Sequence, residues 1–487
     1  MTIWIDSADS ADVLVHLAYE GESFPYKLAE AHKREGGVTW LFGRSEGEPD
    51  IVAIGMGVRV GTTLEAVRRA GGRAARAMLR EGRTGAALVR DAAAYGRGGE
   101  GLASADWLQA WIEGWQLGLY RFQPYRNKTR SDETVALRLQ SNDWPELSKD
   151  VMASVLEKAR IRAAGAMLTR DLVNESPGTL HPERFAAWME EHFGQFGQGV
   201  HVHVYRGREL EERQMNGLLT VGAGSQYEPA LVEIRYEGGA DLPMLALIGK
   251  GVTFDMGGMN AKTASDISDA RMDMGGAAAV VGAMDIMIRS RAAVNVTALI
   301  PVVENVPDAN ATLPSSVIRY PNGLTVQIAN TDGEGRLIIA DALLHAANIG
   351  AEKVIDIATL TGNVGSALGL GIAGIWGDSD MAAGLVSIGE RNGERLWPMP
   401  LMDEYESELH SLYADLRNVG TSPYGGAIIA ALFIRRFVAS GMKWTHIDMA
   451  NTVQYKQDAG YSEAGATGYG ARLLADYAVL EASRTTV

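Results

Sequence analysis

Leu245-Ala246-Leu247-Ile248-Gly249 is a near-continuous apolar run of strand length that ends directly on Lys250. A half-exposed strand alternates apolar with polar side chains, so a run without alternation suits a strand covered on both faces. Val296-Thr297-Ala298-Leu299-Ile300, Val354-Ile355-Asp356-Ile357-Ala358 and Trp444-Thr445-His446-Ile447-Asp448 share this character. Helical patterns fit between them, at Met274 to Arg289, Leu337 to Asn348 and Ala427 to Val438. Toward the N-terminus, Val13 to Leu17, Val38 to Phe42, Ile51 to Ile54 and Ala86 to Val89 read as strands. Thr63 to Arg80 and Asp106 to Tyr120 read as helices. Strand and helix in alternation predict an α/β fold. Two α/β domains are expected: a smaller N-terminal one over residues 1–148, and a larger one over 149–487 with a mixed central sheet covered by helices. The polar stretch Phe122 to Asp143, with the basic run Arg126-Asn127-Lys128-Thr129-Arg130, places the edge near Trp144-Pro145. A linker helix over Val151 to Val173 follows, stopped by Asn174-Glu175-Ser176-Pro177-Gly178, because a residue before proline is pushed out of the helical region.

Composition narrows the function classes. A chain of 487 residues with 46% hydrophobic and 22% charged residues is not wholly disordered. The absence of cysteine excludes a disulfide scaffold, thiolate zinc sites, iron–sulfur clusters and cysteine nucleophiles. A net charge of -15 disfavours a surface that grips nucleic acid or anionic lipid. Met1-Thr2-Ile3-Trp4-Ile5-Asp6 lacks the blocks of a secretory signal, and no window approaches about 18 uninterrupted apolar residues. A soluble cytoplasmic protein without a membrane partner is expected.

Charged residues gather at the ends of the larger domain's strands. Lys250 follows one, Asp255 comes five residues later, and Lys262 lies in the next loop. Asp273 stands just before Gly275-Gly276-Ala277-Ala278, a helix start where a carboxylate is favoured in any case. Asn330-Thr331-Asp332-Gly333-Glu334-Gly335-Arg336-Leu337 links the strand Thr325 to Ile328 with the next helix. Four carboxylates, Asp255, Asp273, Asp332 and Glu334, would repel one another in a common crevice unless cations offset them. Two divalent ions match that charge. Lys250 could ligate a metal only when neutral. Lys262 and Arg336 remain as cations able to stabilise an oxyanion.

Asn330 to Leu337 resembles the signature octapeptide of the leucyl aminopeptidase family of dinuclear metallopeptidases. Gly249 to Asp255 and Asp273 to Ala279 are similar to that family's other metal-binding block. Further matches are Arg170 to Glu175, Ala358-Thr359-Leu360-Thr361-Gly362, Asp415 to Asn418 and Gly465 to Gly468, and the similarity runs from about Ala166 to the C-terminus. The resemblance implies an aminopeptidase that releases unblocked, leucine-like N-terminal residues from small peptides and aminoacyl substrates. It implies one metal on Asp255, Asp332 and Glu334, and a second on Lys250, Asp255, Asp273 and Glu334. Zinc, manganese, magnesium or cobalt would suit these hard donors. It implies that Lys262 polarises the scissile carbonyl and stabilises the gem-diolate, and that Arg336 holds a bicarbonate ion that relays protons. Substrate contacts would come from Lys262, Asp273, Thr359 and Gly362. The substrate's free α-amino group would meet a metal, which limits cleavage to the first residue. The implied assembly is a homohexamer acting in intracellular peptide turnover. The sequence departs from the family pattern at Met256, at Gly333 (usually alanine), in the loop Asn260-Ala261-Lys262-Thr263-Ala264-Ser265, where many relatives have proline after the lysine, and at Asn451 (often glycine). No implied ligand is lost.

Other motifs carry blander readings. Gly369-Leu370-Gly371-Ile372-Ala373-Gly374 matches the dinucleotide pattern without a clean preceding strand, and reads as a tight structural loop. His201 and His203 share one face of a strand without a third ligand nearby. Arg68, Arg69, Arg73, Arg76, Arg80, Arg83, Arg90 and Arg97 concentrate positive charge in the first domain. A solvated face explains them more simply than nucleic-acid binding. Met272, Met274, Met284 and Met287 read as core. HExxH does not occur, which argues against a single-zinc alternative.

Overall fold

The computed structural model describes residues 3–7, 11–43, 45, 47–90, 101–127, 135–239, 241–263 and 266–485. Arg97, Lys128 to Arg130, and Ala264 with Ser265 lie outside the described residues. Contacts divide the chain into two compact units. One comprises residues 1–167 with 455–465, and the other 168–454 with 466–487.

Among the described residues the first unit holds a six-stranded sheet: β1 (Ile3–Ile5), β2 (Val13–Tyr19), β3 (Val38–Leu41), β4 (Asp50–Gly57), β5 (Gly85–Val89) and β6 (Ala136–Leu139). Their order is β1-β6-β5-β2-β4-β3, parallel throughout except for β3 at the edge. The helix Leu64–Arg80 starts where Thr63 caps it, its side chain accepting from Ala66 N at 3.1 Å. That helix buries Val67, Ala70, Ala74, Ala75 and Met78 in one cluster with Trp107, Leu108 and Trp111 of the helix Ser104–Leu119.

The arginines here are not the solvated face expected from sequence. Arg68 and Arg76 are buried. Arg68 donates to Glu113 at 2.9 Å and to Glu65 at 2.6 Å, and Arg162 donates to the other Glu113 oxygen at 2.6 Å. Arg69 pairs with Glu65, Arg83 with Asp50 and Arg90 with Glu146. Helical spacing turns several of them toward acidic partners rather than toward water. Glu113 is completely buried between two guanidiniums. Glu113→Ala is therefore expected to cost about 3–5 kcal/mol, because it strands buried positive charge. Equilibrium urea unfolding of the whole protein checks this, and an unchanged midpoint would contradict it.

The second unit has a nine-stranded mixed sheet: β7 (Val200–Arg206), β8 (Ala230–Glu237), β9 (Met244–Gly249), β10 (Gly251–Asp255), β11 (Asn295–Asn305), β14 (Lys353–Ala358), β15 (Ala373–Gly377), β16 (Leu396–Pro398) and β18 (Lys443–Asp448). A small sheet holds β12 (Val317–Arg319), β13 (Thr325–Gln327) and β17 (Leu416–Arg417). The main order is β16-β15-β18-β14-β9-β11-β8-β7, with β10 continuing beside β11. Strands β18, β14, β9 and β11 run parallel, and β15 and β8 flank them antiparallel. These parallel strands include the unbroken apolar runs, and most of their side chains are fully buried. Polar residues inside them are paired. Register sets Asp356 opposite His446, and Asp356 accepts from the His446 ring and, at 2.6 Å, from Trp444 Nε1. Helices Gly275–Arg289 and Gly335–Asn348 are buried along most of their length. Met272, Met274, Met284 and Met287 are core, as their spacing predicts. No helix among the described residues is long and apolar enough to cross a membrane.

Candidate metal centre

The parallel strands of an open α/β sheet leave backbone ends and loops along one edge, where side chains from distant sequence can converge. Lys250 lies between β9 and β10, and Asp255 ends β10. Between them the pairing of β10 with β11 slips by one residue: Val252 faces Val303, but Asp255 faces Asn305. This bulge re-aims the end of the strand. Asp332 and Glu334 follow β13, and Arg336 is the second residue of the helix Gly335–Asn348. Thr359 follows β14, and Gly362 opens the short helix Gly362–Leu368.

Asp255, Asp273 and Glu334 each offer a carboxylate oxygen within 4.8 Å of the others. Two lysines thread the cluster. Lys250 Nζ donates to Asp273 Oδ1 at 2.8 Å and to the Thr359 carbonyl at 3.0 Å, and lies 2.7 Å from Glu334 Oε1. Lys262 Nζ lies 2.7 Å from Asp255 Oδ2 and also donates to Asp332. Five sequence-predicted ligands and Lys262 thus meet in one place. Thr359 joins them, its hydroxyl donating to Asp273 Oδ1 at 2.8 Å. Gly362 is exposed at its helix start, with open space where a side chain would stand. Asp273 does not cap the helix that follows it. It sits in a 3-10 turn, Ser268–Met274, and its carboxylate turns to Lys250 and Thr359 instead of to backbone N–H groups.

The charges are mutually dependent. Burial opposes the Lys250 ammonium, but Asp273, Glu334 and Asp255 outweigh it and hold the pKa above its ordinary value. Burial also opposes the charge on Lys262, and Asp255 and Asp332 reverse that in the same way. Burial raises the Asp273 carboxyl well above the usual range, with repulsion from Glu334 and Asp255 added and Lys250 opposing. Burial and then Asp255 push Asp332 up to about 6. Carboxylates this crowded need cations, and the hard oxygen donors present fit divalent ions. Arg336 is buried; burial lowers its pKa to about 10, against the pull of Glu334, Asp448 and Asp332. Its Nη1 donates to the Asn418 carbonyl at 2.7 Å, while its buried Nε has no hydrogen-bond partner among the described residues. An oxyanion is the natural complement of such a group.

Sequence reasoning assigned no role to the residues that hold these loops. Asn305 Nδ2 donates to Asp255 Oδ1 at 2.8 Å and to the Thr331 carbonyl at 3.1 Å. Asn418 Oδ1 accepts from Ala329 N at 2.8 Å, and its Nδ2 donates to the Asn330 carbonyl at 2.6 Å. Asn260 Oδ1 accepts from Thr331 N at 2.9 Å. Asp448 accepts from Leu360 N at 3.1 Å, Ala450 N at 3.2 Å and Thr361 Oγ1 at 2.7 Å, fixing the loop that carries Thr359. Asn418 and Asp448 did stand in motifs or strand ends already noted, and that was the available signal.

Two octapeptide glycines have steric reasons. A Cβ on Gly335 would lie 2.6 Å from Lys250 Cε and 2.7 Å from Nζ. The lysine end is pinned by three partners and cannot swing away. Gly335→Ala is expected to lose about 1–3 kcal/mol through overpacking, read as a lowered urea midpoint; a wild-type midpoint would show that Lys250 is free to move. At Gly333, the alanine position of relatives, a Cβ would meet Val419 Cγ1 at 2.7 Å and Asn418 Nδ2 at 2.8 Å, so this chain has closed the space. Asn451, the other departure, is buried, and its Nδ2 donates to the carbonyls of Gly369 and, at 2.7 Å, Ile372. It thereby pins the glycine-rich stretch, which runs from a helix into β15 and not from strand into helix as dinucleotide loops do. His201 and His203 are exposed on β7, and His203 pairs with Glu209 at 2.9 Å.

A family model described as "Cytosol aminopeptidase family, catalytic domain" matches residues 167–475. A second, "Cytosol aminopeptidase family, N-terminal domain", matches residues 30–129, where no signature was read from the sequence. The chain is 36% identical to a probable cytosol aminopeptidase of Syntrophotalea carbinolica, over 97% of this chain and 95% of the relative. It is 40% identical to a probable cytosol aminopeptidase of Rickettsia felis, over 74% and 72%. Among solved structures it is similar to the bottromycin maturation enzyme BotP in complex with Mn. The TM-score is 0.86 at 30% identity, covering 97% of this chain and 99% of that one.

Proposed function

The chain belongs to the cytosol aminopeptidase family, and on that premise we propose that it removes single unblocked, leucine-like N-terminal residues from small peptides and aminoacyl substrates with two divalent ions. It is a metal-dependent hydrolase of peptide bonds with aminopeptidase activity. The observation that carries the finer reading is the convergence of Asp255, Asp273 and Glu334 oxygens within 4.8 Å, with Lys250, Lys262 and Asp332 joined to them.

One ion would be held by Asp255, Asp332 and Glu334, and the other by Lys250, Asp255, Asp273 and Glu334. Manganese or zinc is our first assignment, with magnesium and cobalt as alternatives. The manganese complex of BotP supports the choice of a hard divalent ion. When bound, the ions supply Lewis-acid polarisation of the carbonyl and a water that ionises near neutral pH. Lys250 must release its proton before its nitrogen can bind a metal, so uptake of metal would liberate acid. Lys262, at the more exposed side of the cluster, would stabilise negative charge on the carbonyl oxygen. Arg336 would hold bicarbonate against its unpartnered Nε, giving a proton acceptor a fixed place. Lys262, Asp273, Thr359 and Gly362 would contact the substrate. We assign the protein to cytoplasmic peptide turnover as a homohexamer, with the domain over residues 1–148 serving assembly or regulation.

The test is a pair of peptides that differ only at the amine. The manganese-loaded protein is expected to release leucine from Leu-Gly-Gly and to act at least about 10³-fold more slowly on the N-acetylated peptide, since a site built for a polar group rejects its absence strongly. Comparable rates on both would overturn the assignment. A panel of aminoacyl amides reads out the side-chain preference, and sedimentation reads out the hexamer.

A further inference from the structure

The N-terminal unit contains a cleft of about 440 Å³ beside the helix Leu64–Arg80, far in sequence from the carboxylate cluster. Arg73, Arg76 and Arg80 line it at spacings of three and four residues, which stacks them on one helix face. Trp40 of β3 provides an apolar wall, and Asp458 and Glu81 are the acidic members. Three guanidiniums against two carboxylates leave the lining positive, in a chain whose net charge is -15.

One carboxylate, Asp458, serves both Arg76 and Arg80, the latter at 3.4 Å. Arg73 makes no side-chain hydrogen bond or ion pair among the described residues, and its Nη1 is buried without an acceptor. Arg76 is 8% exposed, and its Nη1 is likewise buried without an acceptor. Buried donors left unsatisfied are costly, and two on adjacent turns of one helix leave hydrogen-bonding capacity that an oxyanion can use. Burial lowers the Arg73 pKa, with Arg69 acting the same way and Glu35 and Glu65 opposing, so an added negative charge there would be stabilising. A guanidinium presents a planar fork that matches an oxyanion at two points.

We propose that this cleft binds a small oxyanion-bearing molecule, its carboxylate or phosphate seated against Arg73 and Arg76 and its apolar part against Trp40. The cleft shares no residue with the hydrolytic site.

Isothermal titration of the whole protein with phenylacetate and with phenyl phosphate tests it, and the two probes distinguish a carboxylate ligand from a phosphate ester. At least one is expected to bind with one-to-one stoichiometry, and Arg73→Gln to weaken it about tenfold or more, the effect of losing one charge-assisted contact. Arg73 has no ion-pair partner to strand among the described residues, so this variant should fold and hydrolyse peptides at the wild-type rate. Arg80→Gln, at a side chain that is 66% exposed, gives a second reading and should also weaken binding. Failure of both probes to saturate at millimolar concentration, or equal affinity in wild type and Arg73→Gln, would overturn the proposal.

Discussion

Lys262→Ala is expected to lower kcat by about 10²–10³-fold while leaving metal content unchanged or raised. The two halves of this result have separate causes. Lys262 Nζ stands 2.7 Å from Asp255 Oδ2 and also holds Asp332, so as an ammonium it competes with any metal for those oxygens. Burial works against its charge, but Asp255 and Asp332 more than restore it, and it stays protonated at neutral pH. Removing it takes a competitor from the carboxylates, which favours ion uptake. The same removal deletes a fixed positive charge at the side of the cluster where its side chain is 32% exposed and a substrate carbonyl can approach. An interaction made mainly in the transition state lowers kcat and kcat/KM together, with KM little changed. Elemental analysis beside steady-state kinetics checks both halves. Loss of metal in step with rate would make Lys262 part of the ion-binding framework and remove it from the chemistry.

How much of this was legible beforehand depends on how far each interaction reaches. The unalternating run at Leu245–Gly249 announced a strand covered on both faces, because burial acts on every side chain of the run at once, and β9 lies inside the parallel core. The helix Leu64–Arg80 was legible from the same kind of local pattern, within a residue of its start. The carboxylates could be gathered on paper by charge and motif. Their supports could not, since Asn305 reaches Asp255 across 50 residues and Asn418 reaches Asn330 across 88. An asparagine in a loop has no periodicity, and its value appears only when the loops are brought together. The partners of Asp273 were hidden for a related reason. Local rules favour a carboxylate before a helix, but a buried lysine 23 residues away offered a stronger partner. In the first unit, arginine spacing looked like a wet face because the sequence does not show that Glu113 lies between Arg68 and Arg162.

The four carboxylates should also separate by what their loss does to the fold. Asp332→Ala is expected to abolish metal-dependent turnover and reduce bound metal while the protein remains folded. Glu334→Gln should destabilise the metal-free protein by about 3–5 kcal/mol, the cost of breaking a buried ion pair from one side. The distinction comes from exposure and from the partner left behind. Asp332 is 34% exposed at its side chain, and its lysine partner, 32% exposed, can turn to water. Glu334 and Lys250 are 3% and 2% exposed, so Lys250 would keep a buried charge with one contacting carboxylate, Asp273, and a carbonyl to answer it, and the charge of Asp255 beyond them. Chelation of the wild type gives the reference state: turnover should vanish on complete metal removal and return with Mn2+ or Zn2+, and activity that survives would end the two-ion reading. Against that reference, an Asp332→Ala protein that retains full metal content would move Asp332 out of the ligand set. Equal urea midpoints for Glu334→Gln and wild type, both metal-free, would mean that Lys250 reaches water or loses its proton more easily than its surroundings allow.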